Sequence, residues 1–310
     1  MTQVEKLAAG PDLSLEAVRI GTGGGPRVAI LGGVHGDELE GVLAAQRLIA
    51  ELGARPVTGA VTVLARANPP ALATGTRLGA DSENLARVFP GAAEGSLSAR
   101  IAHTISSELI DECDLLIDLH SAGRQYRMPA LCGLPAQAEI GGRPLLDLAR
   151  VTTFPFLWSH PSIGPGRSVS HAEARGTPWM YFECGGSGSL LERDIDRYVT
   201  STLSLLAEIG VLEAGPAPPI DGRQVVVTDG NGDTDAGIAF RSSGLFVSRV
   251  AAGDTVEPGL PLGAVYDQRG TEREVVRAVS AGVVMMLRHD YRAGAGDVAA
   301  IIAGTDDRAA

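Results

Sequence analysis

Over its first two thirds the chain alternates short apolar runs with longer amphipathic ones. Arg27–Leu31 (RVAIL) has the length of a strand and ends in two glycines, Gly32 and Gly33. Gly41–Leu52 (GVLAAQRLIAEL) then repeats its apolar residues at helical spacing. Ala60–Ala65 (AVTVLA) reads as a second strand, and Ala99–Ile110 as a helix feeding the strand Asp114–Leu119 (DLLIDL). Pro178–Phe182 (PWMYF) is a further strand and Arg193–Ile209 a further helix. Strands and helices of these lengths in alternation predict an α/β domain with a largely parallel or mixed sheet.

The texture changes after Glu213–Asp221 (EAGPAPPID), whose prolines and small residues predict a linker. Beyond it, Arg223–Thr228, Gly244–Val250, Gly263–Asp267, Glu274–Val279 and Gly282–Leu287 are short strand-like runs separated by Gly, Pro and Asp. No helical period of useful length interrupts them, which predicts a small all-β unit. The expected division is therefore residues 1–213, a linker over 214–223, and a β-domain over 224–310. Gly244–Ala303 resembles a biotinyl/lipoyl-like barrel-sandwich, but the only lysine of the chain is Lys6, so it cannot be a lysine-modified carrier. It is expected to shape the mouth of a site or to join copies of the chain, and a homo-oligomer stays open.

Composition narrows the function classes. At 310 residues with 45% hydrophobic and 20% charged residues, the chain can bury a large core. Its net charge of -11 argues against nucleic acid or an anionic membrane as the main partner. No stretch approaches the roughly 18–20 apolar residues of a membrane span, and Met1–Pro11 lacks the basic start and apolar core of a secretory signal. Three scattered cysteines, Cys113, Cys132 and Cys184, do not make a disulfide framework. A cytoplasmic location is expected.

The densest chemical signal is Gly32–Gly41 (GGVHGDELEG), directly beyond the carboxyl end of the first strand, the edge at which open α/β sheets place their ligands. Two residues separate His35 from Glu38, so an imidazole and a carboxylate can converge on one ion. His120 also stands at a strand end, in Asp118-Leu119-His120-Ser121. Together these three make a zinc site of the hydrolytic type, with a fourth position open. A His-x-x-Glu alone is common by chance; the paired glycines and the matching strand-end histidine raise its weight. Asp118 is placed to orient a ligand histidine, whereas Asp37 and Glu40 read as solvated or helix-capping. Such a site needs a base. Glu183 in Tyr181–Gly186 (YFECGG) ends another strand at the same edge, although on its own it would equally suit a surface turn. Gly21–Gly25 (GTGGG) is not a phosphate loop, since it precedes a strand and lacks the following Gly-Lys.

With these residues, the chain resembles the succinylglutamate desuccinylase/aspartoacylase family of zinc carboxypeptidase-like amidohydrolases. The matching pieces are GGVHGDELEG (32–41), NPPAL (68–72), GTR (75–77), NLARVFPG (84–91), DLHSAGR (118–124) and FECGG (182–186), in the family's order. The N-acyl diamino acid deacetylases, with a similar C-terminal β-domain, are the nearest subgroup. The resemblance implies a three-layer core with a mixed, mostly parallel sheet of eight strands. It implies one Zn2+ per chain on His35, Glu38 and His120, with Glu183 as catalytic glutamate. It further implies that Arg77 polarises the scissile carbonyl and that Arg87 binds a substrate carboxylate. One departure concerns substrate choice: the family reads Asn-Leu-Asn-Arg where this chain has Asn84-Leu85-Ala86-Arg87. The asparagine that helps the arginine grip an α-carboxylate is missing.

The expected activity is zinc-dependent hydrolysis of the amide bond of a small N-acylated substrate, with Asn84 and Arg124 as further substrate contacts. A metallocarboxypeptidase acting on short peptides, and a metal-binding sensor without turnover, are the two alternatives.

Overall fold

In the computed structural model, which describes residues 1–21, 23–216, 224–230 and 232–305, the expected alternation builds one twisted sheet with helices on both faces. Its strands are β1 (Thr2–Ala8), β2 (Ser14–Gly21), β3 (Arg27–Gly32), β4 (Ala60–Leu64), β5 (Leu115–Leu119), β6 (Leu131–Pro135), β7 (Phe156–His160), β8 (Trp179–Glu183) and β9 (Val225–Val227). Their spatial order is β1-β2-β4-β3-β5-β8-β6-β7-β9. The run β4-β3-β5-β8 is parallel and β6-β7-β9 is parallel, with an antiparallel junction between β8 and β6. β1 and β2 form an antiparallel hairpin on the opposite edge.

The helices are α1 (Leu39–Gly53), α2 (Pro69–Thr74), α3 (Leu97–Ile105), α4 (Leu145–Ala149), α5 (Ser168–Ala174) and α6 (Glu192–Glu208). One face of the sheet carries α1, α4 and α6, and the other α3 and α5. The central strands are buried on both faces, so β5 (LLIDL) has no exposed position and reads as a continuous apolar run broken only by Asp118. No helix among the described residues is long and apolar enough to cross a membrane.

The sheet has nine strands against the eight expected. Val225–Val227, expected to open the C-terminal β-unit, instead pairs in parallel with Phe156–Trp158 and closes this sheet. Its three valines satisfy the exposed edge of β7, a pairing that no local pattern could specify. Of the expected linker, residues 217–223 lie outside the described residues.

From Ile238 onward the chain forms two antiparallel sheets, as the short punctuated runs predict. One of them also takes in Tyr126–Arg127, which pairs with Leu287 and Arg288 and so ties the C-terminal strands to the loop beyond β5. A separate apolar cluster around Phe240, Phe246, Leu262 and Val265 fills the space between these sheets.

Candidate metal centre and active site

Three adjacent parallel strands, β3, β5 and β8, end level with one another: Leu119 pairs with Gly32 on one side and Phe182 on the other. Side chains that leave these ends meet at one rim. His35 and Glu38 come from the turn beyond β3, His120 follows β5 directly, and Glu183 is the last residue of β8. Two glycines set how closely the segments approach. A Cβ on Gly41, in the first turn of α1, would lie 2.4 Å from the Leu119 carbonyl oxygen, and one on Gly36 would lie 1.9 Å from that of Ala71. The first contact closes the His35–Glu38 turn onto His120. The second seats it on the end of α2, where Gly36 N donates to Thr76 O at 2.9 Å, bringing Arg77 beside Glu38.

His35, Glu38 and His120 form a group able to hold a metal ion, with one ligand atom from each lying within 4.8 Å of the others. His35 Nδ1 is 2.8 Å from Glu38 Oε1, and His120 Nδ1 is 2.9 Å from Glu38 Oε2. The remaining ring nitrogens are fixed from behind. His120 Nε2 lies 3.1 Å from Asp118 Oδ2. His35 Nε2 lies 3.0 Å from Asn84 Oδ1, an acceptor that also takes the Ala86 N–H at 2.9 Å. Both acceptors require an N–H at Nε2, which leaves a lone pair at each Nδ1 in the neutral ring. Lone pairs facing a carboxylate repel it unless positive charge lies between them, so this donor set fits a cation.

The electrostatics draw positive charge to the same place, whether a proton on His120 or a cation. Burial opposes charge on Glu38, but the two imidazoles outweigh it and hold the carboxyl well below its ordinary range. Burial likewise opposes charge on His120, yet Asp118 and Glu38 raise its pKa well above the usual value. His35 is pushed down by burial and then by Arg77. Arg77 Nη1 donates to Glu38 Oε1 at 2.8 Å and stands 3.3 Å from His35 Nδ1, placing a guanidinium against two of the three donors. Glu38 Oε2 also accepts the Ser121 N–H at 3.1 Å.

Glu183 faces the same cavity, of about 720 Å³. Its Oε2 is buried with no hydrogen-bond partner among the described residues. Burial, and next the charge of Glu38, push its carboxyl up to about 8, against the pull of His120 and Arg77. A carboxyl group without a protein partner at the edge of a cavity is placed to exchange a proton with something bound there.

The remaining residues singled out in the sequence are placed as follows. Arg124 lines the cavity, and its side chain has no ion pair among the described residues; its backbone N–H donates to Asp37 Oδ2 at 3.3 Å. Asn84 is turned toward His35, one step back from the cavity. Arg87 lines the cavity but its guanidinium is met by Asp235 at 2.7 Å. Glu40, read as solvated or capping, is buried and accepts from Ser121 Oγ at 2.8 Å. Sequence reasoning missed Arg167, Asp233 and Asp235, which meet Arg87 from beyond β7 and β9. The only signal was the acidic run Asp233-Thr234-Asp235, which lies well over a hundred residues from the arginine it reaches.

Comparison with known proteins agrees with this architecture. Residues 24–209 match the succinylglutamate desuccinylase/aspartoacylase catalytic domain. The chain is 30% identical over 293 residues to the N-alpha-acetyl-L-2,4-diaminobutyric acid deacetylase of Halomonas elongata, covering 91% of this chain and 83% of that one. A succinylglutamate desuccinylase/aspartoacylase from Rhodobacter sphaeroides superposes with a TM-score of 0.86 at 25% identity, covering 99% of this chain and 96% of the other. The product-bound ectoine utilization protein EutE (DoeB) from Ruegeria pomeroyi gives 0.86 at 25% identity, covering 98% and 95%. The sheet order, the rim of strand ends and the matched sequence together lead to one statement: the chain belongs to the succinylglutamate desuccinylase/aspartoacylase family.

Proposed function

We propose that the protein is a zinc-dependent deacylase that hydrolyses the amide bond of a small N-acylated amino acid. The observation that carries this reading is the pair of histidine Nδ1 atoms facing Glu38, each ring held from behind, with the partnerless carboxylate oxygen of Glu183 in the same cavity. His35, Glu38 and His120 would hold the ion. A divalent cation supplies Lewis acidity there, lowering the pKa of water and drawing charge from an amide carbonyl.

The protein's own groups account for the other steps. Glu183 removes the proton of the attacking water and returns it to the leaving amine. A carboxyl held near 8 by burial accepts a proton readily, and the positive charge of a bound cation offsets part of that rise. Arg77 lies beside Glu38 and is the group that stabilises the oxyanion developing on the carbonyl. Arg124, without a carboxylate partner among the described residues, is the cation best placed to take the substrate's α-carboxylate. The loop and strands after β9 supply Asp235, Met286, Arg288 and Val298 to the cavity wall. A C-terminal β-unit that narrows access in this way favours small substrates over long peptides. Val225–Val227 is best counted with the catalytic unit.

The relative from Halomonas elongata points to N-acetylated diamino acids as the first substrates to try. The test is a hydrolysis panel of N-acetyl amino acids with basic, neutral and acidic side chains beside unblocked dipeptides, using zinc-loaded protein. Turnover of N-acetyl amino acids with dipeptides left intact is expected. Cleavage of dipeptides alone would make the protein a peptidase, and no cleavage at all would leave a metal-binding protein without turnover.

A further inference from the structure

Arg87 is committed inside the protein. Of its five N–H groups, four are taken: Nε and Nη2 both donate to Asp235 Oδ2, at 3.0 and 2.7 Å, Nη2 also donates to Thr234 Oγ1 at 3.4 Å, and Nη1 donates to the Ala86 carbonyl at 2.9 Å. Arg167 beside it is held in the same way, its Nη2 donating to Asp233 Oδ1 at 2.8 Å. That same oxygen lies 3.9 Å from Arg87 Nη2. Two arginines thus face two aspartates along this wall.

The geometry follows from the chain path. Arg87 follows Ala86, whose methyl group lines the cavity and offers nothing to steer the guanidinium. Gly166, with φ +80°, packs so closely on Arg87 that a Cβ there would lie 2.4 Å from the Arg87 carbonyl oxygen, which sets Arg167 next to it. The segment after β9 then brings Asp233 and Asp235 across both. Asp235 also lines the cavity, and its side chain is 70% exposed, so this carboxylate stands where a ligand would meet it.

We propose that Asp235 is a specificity-determining residue. By occupying Arg87 it closes that guanidinium to substrate carboxylates and offers a carboxylate in its place. The cavity therefore favours N-acyl substrates whose side chain carries an amine over those whose side chain carries a carboxylate. An incoming side-chain carboxylate has to displace Asp235 from a charge-assisted pair and then sit beside the displaced anion, whereas an ammonium gains a partner. The inference rests on the deacylase reading for its substrates, but not for the ion pair itself.

The test uses the full-length, metal-loaded protein as wild type, Asp235→Asn and Asp235→Ala, with N-acetyl-aspartate and N-acetyl-2,4-diaminobutyrate as substrates. Succinate serves as a plain dicarboxylate probe in binding calorimetry. In both variants the ratio of KM for N-acetyl-aspartate to KM for N-acetyl-2,4-diaminobutyrate is expected to fall about tenfold or more, with the change in KM exceeding that in kcat. Succinate is expected to bind about tenfold tighter, and adding Arg87→Ala to Asp235→Ala should cancel the gain in affinity for succinate and for N-acetyl-aspartate. An unchanged ratio with unchanged succinate affinity overturns the proposal, as does a gain in succinate affinity that survives loss of Arg87. If the wild type hydrolyses no N-acyl substrate, the deacylase reading falls instead, and the succinate titration still decides whether Asp235 guards Arg87.

Discussion

Asp118 stands behind His120: its Oδ2 lies 3.1 Å from Nε2, while the other ring nitrogen faces Glu38 at 2.9 Å. The same Asp118 oxygen accepts from Ser168 Oγ at the start of α5. Ring orientation at the centre is thereby tied to the packing of α5 under the sheet. Replacing Asp118 with Asn keeps the shape but removes the charge that fixes the proton on Nε2. Metal affinity, measured by competition with a chelator, should fall about 10–100-fold, with the fold retained by circular dichroism.

Glu183 carries the proton in the proposed chemistry but is not one of the three grouped donors. Glu183→Gln should therefore keep the metal and lose turnover by a factor of about 10²–10⁴. Metal content and steady-state kcat on the same preparation check both halves. Unchanged turnover would remove Glu183 from the mechanism.

Gly36 is where the turn carrying His35 and Glu38 passes the end of α2. A methyl group there would sit 1.9 Å from the Ala71 carbonyl oxygen and 2.6 Å from that of Thr76. Gly36→Ala must push these backbones apart and carry Arg77 with them. Loss of about 1–3 kcal/mol in urea unfolding is expected, together with a lower kcat/KM.

His160 gives the fold a pH dependence of its own. It is buried between Trp158 and Trp179. Its Nδ1–H donates to the Gly230 carbonyl at 3.2 Å, so Nε2 accepts from the Tyr181 hydroxyl at 2.7 Å. Burial lowers its pKa to about 4. Because the folded value lies below the unfolded one, the unfolded chain takes up the proton first as pH falls. The stabilisation is complete above about pH 6.5 and is lost progressively on descending to about 4, to the extent of about 3 kcal/mol. Unfolding midpoints across this window should fall less steeply in His160→Gln than in the wild type.

Much of the centre was legible because its parts are short, polar and set at the ends of apolar strands. GGVHGDELEG and DLHS each follow a run with no other reason to end in histidine, and the neighbouring registers of β3, β5 and β8 bring those ends level. Other features depend on where distant segments meet. Asn84 carries a side chain suited to a substrate contact, and only the approach of the His35 turn gives it an imidazole instead. Val225–Val227 has the same local pattern whether it joins the main sheet or the C-terminal strands, and the free edge of β7 decides. The first strands, β1 and β2, are harder to read from the residues, since Ser14–Gly21 alternates buried and exposed positions only over its first half. β6 was hidden because Gly133 and Pro135 interrupt it, yet Gly133 is what lets it pass Tyr181, whose ring a Cβ would meet at 2.1 Å.

The most direct measurement is the metal content of the purified full-length protein by elemental analysis, for wild type, His35→Ala and His120→Ala, after dialysis against metal-free buffer. One zinc per chain in the wild type and near-complete loss in both variants is the predicted result. A metal-free wild type that does not take up zinc on titration, or variants that retain zinc as the wild type does, would contradict the assignment of His35, Glu38 and His120 as its ligands.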